Sequence, residues 1–302
     1  MWWCLRVSAT ERKRVTAKLE AGDRALRPQS SAPRRVGALL GMLAVALGTL
    51  AASGAARSDE LDQVRARGTL VVGTKADYQP FGFRDASGAI VGFEPDLAQD
   101  IATTLSAKLE LVPVTASNRI TLLLDGKVDL VIATMNDTPE RRKLVDFVQP
   151  SYYASGVNVL APRSLQLRVW QQLRTKRICT IEGAFYVQEI KERYAPELLM
   201  FKNTGDMYDA LRQERCVAAV YDDTALIGKL QSPEWRAFEM PLRSIMVEPW
   251  GVAVKPGETR LEGILSDVVK RWHATGRIAA LEARWGIPRS AFADEMHERY
   301  AR

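Results

Sequence analysis

Histidine is nearly missing from this chain: His273 and His297 are the only two in 302 residues. A Ser/His/Asp triad or a histidine-rich metal site has almost no material to be built from. The chain also lacks a GxSxG elbow, a phosphate-binding loop, an HExxH helix and a calcium-binding loop. These absences favour binding over covalent catalysis, and neither a metal nor a cofactor is expected. A basic surplus is missing too, once the first residues are set aside. The formal charge is +6, but residues 1–56 hold 9 Lys and Arg against 3 Asp and Glu, which leaves 33 of each sign in 57–302. That neutral body has no basic run interleaved with aromatics, so no nucleic-acid partner is expected. With 47% apolar residues the chain can core two ordinary domains, and disorder of the whole is excluded.

The basic leader over 1–56 reads as a targeting segment. Arg34 and Arg35 precede an uncharged apolar run at 36–50, and the small residues AASGAA follow at 51–56. That order is a secretory signal, with cleavage expected after Ala55. The apolar run is nearly long enough for an uncleaved anchor, but the small-residue exit, followed at once by charge at 57–60, favours export. Residues 1–33 do not resemble a signal start and fit either a misplaced initiation site or a cytosolic extension. Cys4 would leave with the leader. Cys179 and Cys216 then remain as an even pair in an oxidising compartment, and a disulfide is expected rather than two buried thiols.

Beyond the leader, short β-rich runs alternate with helical stripes. Strands are expected at 69–74, 89–93, 109–114, 129–133, 156–160, 177–181 and 216–220. Pro95 suits a first helical turn, with Leu97, Ile101 and Leu105 as its buried stripe. Thr138 and Pro139 read as N-cap and N1 of another helix. Asp206 reads as a cap, Thr259 to Glu262 as a capping box, and the last helix as ending at Gly286. This is an α/β chain of βαβ units. Two extended segments, 156–160 and 246–254, lack helices of their own and read as crossovers. The expected architecture is therefore two lobes joined by a two-strand hinge, lobe 1 from 57–158 plus 250–302 and lobe 2 from 159–249, with a cleft between them.

Open α/β sheets place ligands at strand ends. Lys75, Asp77 and Tyr78 follow the first strand, Thr134 and Asn136 follow 129–133, Gly183 and Ala184 follow 177–181, and Asp222 and Asp223 follow 216–220. These ends are expected to converge on the cleft.

The segments GTLVVGT at 68–74 with YQPF at 78–81, GFEPDLA at 92–98, NRI at 118–120 with GKVD at 126–129, TMNDTPER at 134–141 and VYDD at 220–223 resemble the family 3 extracellular solute-binding proteins. These are the periplasmic amino-acid-binding proteins of ABC importers, and the likeness runs from about 64 to 287. It implies two Rossmann-like lobes of the type II periplasmic-binding-protein fold. They would close on a free amino acid and deliver it, as a monomer, to an inner-membrane ABC permease.

Carried over by motif, Arg141 would hold the ligand α-carboxylate, as a planar guanidinium does with two parallel bonds. Asp222 would accept the α-ammonium while Asp223 caps the next helix. Tyr78 would cover the ligand, and Thr134 and Asn136 would offer polar groups. Where the family has Gly-Thr-Thr or Gly-Ser-Thr, this chain has Gly183-Ala184-Phe185. That leaves backbone donors for the carboxylate and lets Phe185 or Tyr186 shape the pocket. Lys75 and Arg119 stand where acidic-amino-acid binders carry cations, which favours an acidic ligand slightly over another polar one. The alternative is an exported dehydratase of the prephenate type on the same fold, needing Asp77, Glu182 or Asp222 as general acid.

Overall fold

The structure is a computed structural model that describes residues 59–301. The leader, its Arg34 and Arg35, the cleavage point after Ala55 and Cys4 lie outside the described residues. No helix among the described residues is long and apolar enough to cross a membrane.

Helix α1 (Glu60–Arg67) leads into β1 (Thr69–Thr74), and a small antiparallel sheet follows from β2 (Asp77–Tyr78), β3 (Gly82–Arg84) and β4 (Ile90–Val91). Next come α2 (Phe93–Thr104), β5 (Lys108–Pro113), α3 (Arg119–Leu124), β6 (Leu130–Val131), α4 (Pro139–Arg142) and β7 (Asp146–Phe147). The long β8 (Tyr153–Pro162) opens the second half, which holds β9 (Arg177–Ile181), α5 (Val187–Tyr194), β10 (Glu197–Phe201), α6 (Thr204–Arg212), β11 (Ala218–Asp222), α7 (Asp223–Leu230) and β12 (Phe238–Glu239). The chain returns through β13 (Ile245–Trp250) to β14 (Ala253–Val254), then α8 (Thr259–Ala274), α9 (Arg277–Arg284) and α10 (Ala291–Tyr300).

Two main sheets result. In the first the order is β5-β1-β6-β14-β7, with β1 parallel to β5 and β6; in the second it is β10-β9-β11-β8-β12, with β9 parallel to β10 and β11. Each is the core of one lobe of an α/β fold, covered by helices because a parallel strand such as β11, buried at every residue, must hide both faces. The crossovers pair with each other: β13 runs antiparallel to β8, Trp250 opposite Tyr153 and Ile245 opposite Val157. Tyr78, Phe81, Phe93, Tyr153 and Trp250 meet edge to face or tilted at this junction, with Trp250 fully buried.

Thr138 and Pro139 stand at N-cap and N1 of α4, as expected. Other helix ends differ. Asn203, not Asp206, caps α6, because its side chain accepts the Asp206 N–H and the Asp206 carboxylate accepts in return. Thr259 is the first residue of α8 and makes no capping box; at the cap position Glu258 spends its carboxylate on the Glu60 N–H. Asp223 does not cap α7 but begins it, accepting the Gly156 N–H from β8 at 3.0 Å. Gly286 does not end the last helix, since Ser290 caps α10, which packs on α8.

Cys179 on β9 and Cys216 before β11 form a disulfide, their Cα atoms 5.6 Å apart and both side chains buried. The bond closes a loop with a sequence separation of 37. Replacing both cysteines by Ala should cost about 3–4 kcal/mol by loss of the crosslink. Thermal melts followed by circular dichroism should show a midpoint lowered by about 10 °C.

Candidate functional site

Where the two lobes meet, a small enclosed space of about 10 Å³, room for one water, is lined from the first lobe by Lys75, Ala116, Arg119, Thr134 and Asn136, and from the second by Ala184, Phe185, Tyr221 and Asp222. Six of the residues expected from strand ends and motifs thus share one space: Lys75, Arg119, Thr134, Asn136, Ala184 and Asp222. Arg141 and Gly183 line the adjoining opening of the cleft instead, and Asp77 and Tyr78 line a separate recess.

The lobes are in close contact around this cavity. Gly183 has a φ of +78°, and a Cβ there would lie 2.8 Å from Ser117 Cα across the cleft, so only glycine fits both the backbone and the approach. Its carbonyl accepts from Arg141 Nη2 at 3.3 Å, while Arg141 Nη1 donates to the Asn136 carbonyl at 3.0 Å. Tyr78, buried in the aromatic junction, donates its hydroxyl to Asp222 Oδ2 at 3.1 Å and sits 2.8 Å from Thr224 Oγ1. It is therefore a packing residue that also orients Asp222.

Charge is concentrated and short of water. Lys75 is only 1% exposed and Arg119 3%, so neither is a solvated surface cation. Arg119 Nη1 donates to the Ala133 carbonyl at 2.5 Å, yet its Nε–H has no partner. Lys75 Nζ lies 2.7 Å from Asp77 Oδ1, an ion pair that occupies one side of the ammonium. Burial pushes Arg141 down to about 9, with the neighbouring Arg119 charge adding to the effect.

Two carboxyls answer these cations. Asp222 is pushed up to about 7, first by burial and then by Asp223, against the pull of the Tyr78 hydroxyl and of Arg119 and Arg141. Glu94, which the sequence reading missed, is fully buried at the start of α2 and raised to about 7 by burial. Its Oε1 accepts the Thr134 N–H at 2.5 Å and the Tyr152 hydroxyl. Thr134 has a left-handed backbone, φ +48°, and lines the cavity. The signal for Glu94 was an acid in the first turn behind Gly92 and Phe93, which reads equally well as a surface charge favouring the helix dipole. Among the described residues no three His, Cys, Asp or Glu side chains are grouped to hold a metal ion.

A carboxyl raised from 3.8 to about 7 takes up a proton on folding between those pH values. Its stabilising contribution is complete below pH 4 and is lost as pH rises through 7. Asp222→Asn, which keeps the shape and removes the charge, should therefore raise the melting temperature of the ligand-free protein by a few degrees at pH 8. The gain should shrink towards zero near pH 4.5 in the same thermal-melt measurement.

Similarity to known proteins agrees with this geometry. The profile of the bacterial extracellular solute-binding proteins, family 3, matches residues 70–288. The chain is 29% identical over 241 residues to the ABC transporter glutamine-binding protein GlnH of Bacillus subtilis (strain 168), covering 78% of this chain and 87% of that one. Among solved structures, a mutant of ArgBP from T. maritima superposes with a TM-score of 0.71 at 27% identity, over 75% of this chain and 98% of that one. AncCDT-1, an ancestral amino acid-binding protein and a precursor of cyclohexadienyl dehydratase, superposes with a TM-score of 0.68 at 29% identity, over 76% and 99%. With two α/β lobes around a charged interlobe cavity and a profile match over most of its length, this chain belongs to the family 3 bacterial extracellular solute-binding proteins.

Proposed function

We propose that this protein is an exported receptor that closes its lobes on a polar, acidic amino acid and hands it to an inner-membrane ABC permease. The lobes would be 57–158 with 250–302, and 159–249, with the leader directing the chain to the periplasm. The observation that carries the reading is Asp222: a buried carboxyl that, among the described residues, has no ion pair, facing a cavity whose other wall is cationic. An α-ammonium in that cavity would supply the missing counter-charge and favour the ionised carboxylate.

The opposite end of a zwitterion would meet Arg141. Its guanidinium spends one bond on Asn136 and one on Gly183, which leaves further donors in the opening beside the cavity. Thr134 and Asn136 would complete the polar contacts, and Ala184, which brings no hydroxyl, would leave the second lobe to contribute backbone donors. Lys75 and the unpartnered Arg119 Nε–H would take a side-chain carboxylate, because two buried cations in one small cavity favour a second negative charge. Of its three candidate general acids, the dehydratase alternative finds only Asp222 at the cavity. Glu182 is exposed, Asp77 lies outside the cavity, and Asp222 is better used on an ammonium.

Isothermal titration with L-glutamate, L-aspartate and L-glutamine tests this, and binding of an acidic amino acid in the micromolar range or tighter is expected. Arg141→Ala and Asp222→Ala should each weaken it at least about thirtyfold with the fold intact by circular dichroism. Lys75→Met should weaken glutamate more than glutamine. No heat with any of the three would overturn the ligand class.

A further inference from the structure

Asp77 stands at the end of the first strand, where a ligand contact was expected, yet its side chain faces the second lobe instead of the cavity. Its Oδ2 accepts the N–H of Thr204 at 2.9 Å, and its carbonyl accepts the Thr204 hydroxyl. Thr204 is the first residue of α6, a helix of nine residues capped by Asn203. An N–H at that position has no intrahelical acceptor, and the positive end of the helix dipole favours a carboxylate there. The other oxygen, Oδ1, lies 2.7 Å from Lys75 Nζ, so a single carboxylate touches both the cavity-lining ammonium of one lobe and the helix start of the other.

The contact belongs to a seam. Tyr78, the next residue, reaches Asp222 and Thr224. Two residues on, Pro80 packs so closely on Gly228 of α7 that a Cβ there would come within 3.1 Å of Pro80 Cδ and 3.3 Å of the Gln79 carbonyl oxygen. Residues 77–80 therefore form the edge of the first lobe that abuts α6 and α7 of the second.

We propose that Asp77 is the latch of the closed state, a positioning residue that touches no ligand and couples occupancy of the cavity, sensed through Lys75, to docking of α6. This rests on the closure reading above. An anion taken up by Lys75 extends the chain of contacts from ligand to Lys75, Asp77 and Thr204, so losing the latch should hasten ligand release while leaving encounter with the open form alone.

Thr204→Pro supplies a clean test from the far side of the seam. Proline is well accepted at N1 of a helix, and Asn203 already has the extended backbone, φ −135° and ψ 160°, that a following proline requires. The substitution removes the N–H and hydroxyl that Asp77 accepts without touching the cavity. With L-glutamate as probe in stopped-flow fluorescence, Asp77→Ala and Thr204→Pro should each raise the dissociation rate about tenfold or more with the association rate unchanged. The double variant should be no faster than the worse single one, because both remove one interaction. Unchanged release in Thr204→Pro, or additive effects, would overturn the latch. A second measurement needs no ligand: NMR-detected hydrogen exchange of the Thr204 amide should be slow in the wild type and fast in Asp77→Ala. Equal rates in the two would also overturn it. If the wild type binds no glutamate, the ligand reading fails while the Thr204 amide still decides the latch.

Discussion

The interior of this protein holds ionisable groups that are costly to bury, and the arrangement of the lobes follows from how that cost is met. Asp222 ends β11 with a tyrosine hydroxyl and no ion pair on it, while Lys75, paired with Asp77, and Arg119, with its Nε–H unspent, line the same space. In a low-dielectric cleft such groups are far from neutral bystanders: each unsatisfied charge disfavours the closed, empty state, and each becomes an attractive contact once a ligand of matching charge separation enters. Under the proposed function, closure would become favourable only with the counter-charges in place.

The fold supplies the geometry by repeating one device. In both lobes parallel strands deliver their last residues to the same edge, and the antiparallel pair of β8 and β13 holds those edges opposite one another. Arg141 is aimed by a four-residue helix whose start is fixed by the Thr138 hydroxyl and Pro139. Thr134, with its unusual backbone, donates its N–H to Glu94. Gly183 permits the second lobe to approach within van der Waals distance of Ala116 and Ser117. Buried aromatics pack tightly around the Trp250 end of the crossover strands.

Much of this was legible in the sequence because strand ends and turn chemistry are local. The apolar run within 129–133 announced a strand buried on both faces, and the residues following it had to lie at a sheet edge. The cysteine pair was readable from parity and compartment. Legibility failed where the deciding contact is remote. Asp77 sits next to cavity residues along the chain, but Thr204, 127 positions away, claims its carboxylate. Glu94 looks like an ordinary first-turn acid until Thr134 and Tyr152 fold over it. Asn203 and Asp206 are equally good caps on paper, and only the backbone decides between them. Pro288 reads as the end of the helical region, whereas Ser290 starts a further helix that packs on α8.

The account stands or falls on where the two ends of a bound amino acid lie. A crystal structure of the protein grown with L-glutamate would settle that by inspection of the interlobe density. The account predicts the α-ammonium against Asp222, the α-carboxylate on the Arg141 guanidinium and the side-chain carboxylate towards Lys75 and Arg119. A ligand bound in reverse, one held outside the interlobe cavity, or an Asp222 that meets no cationic group would contradict it.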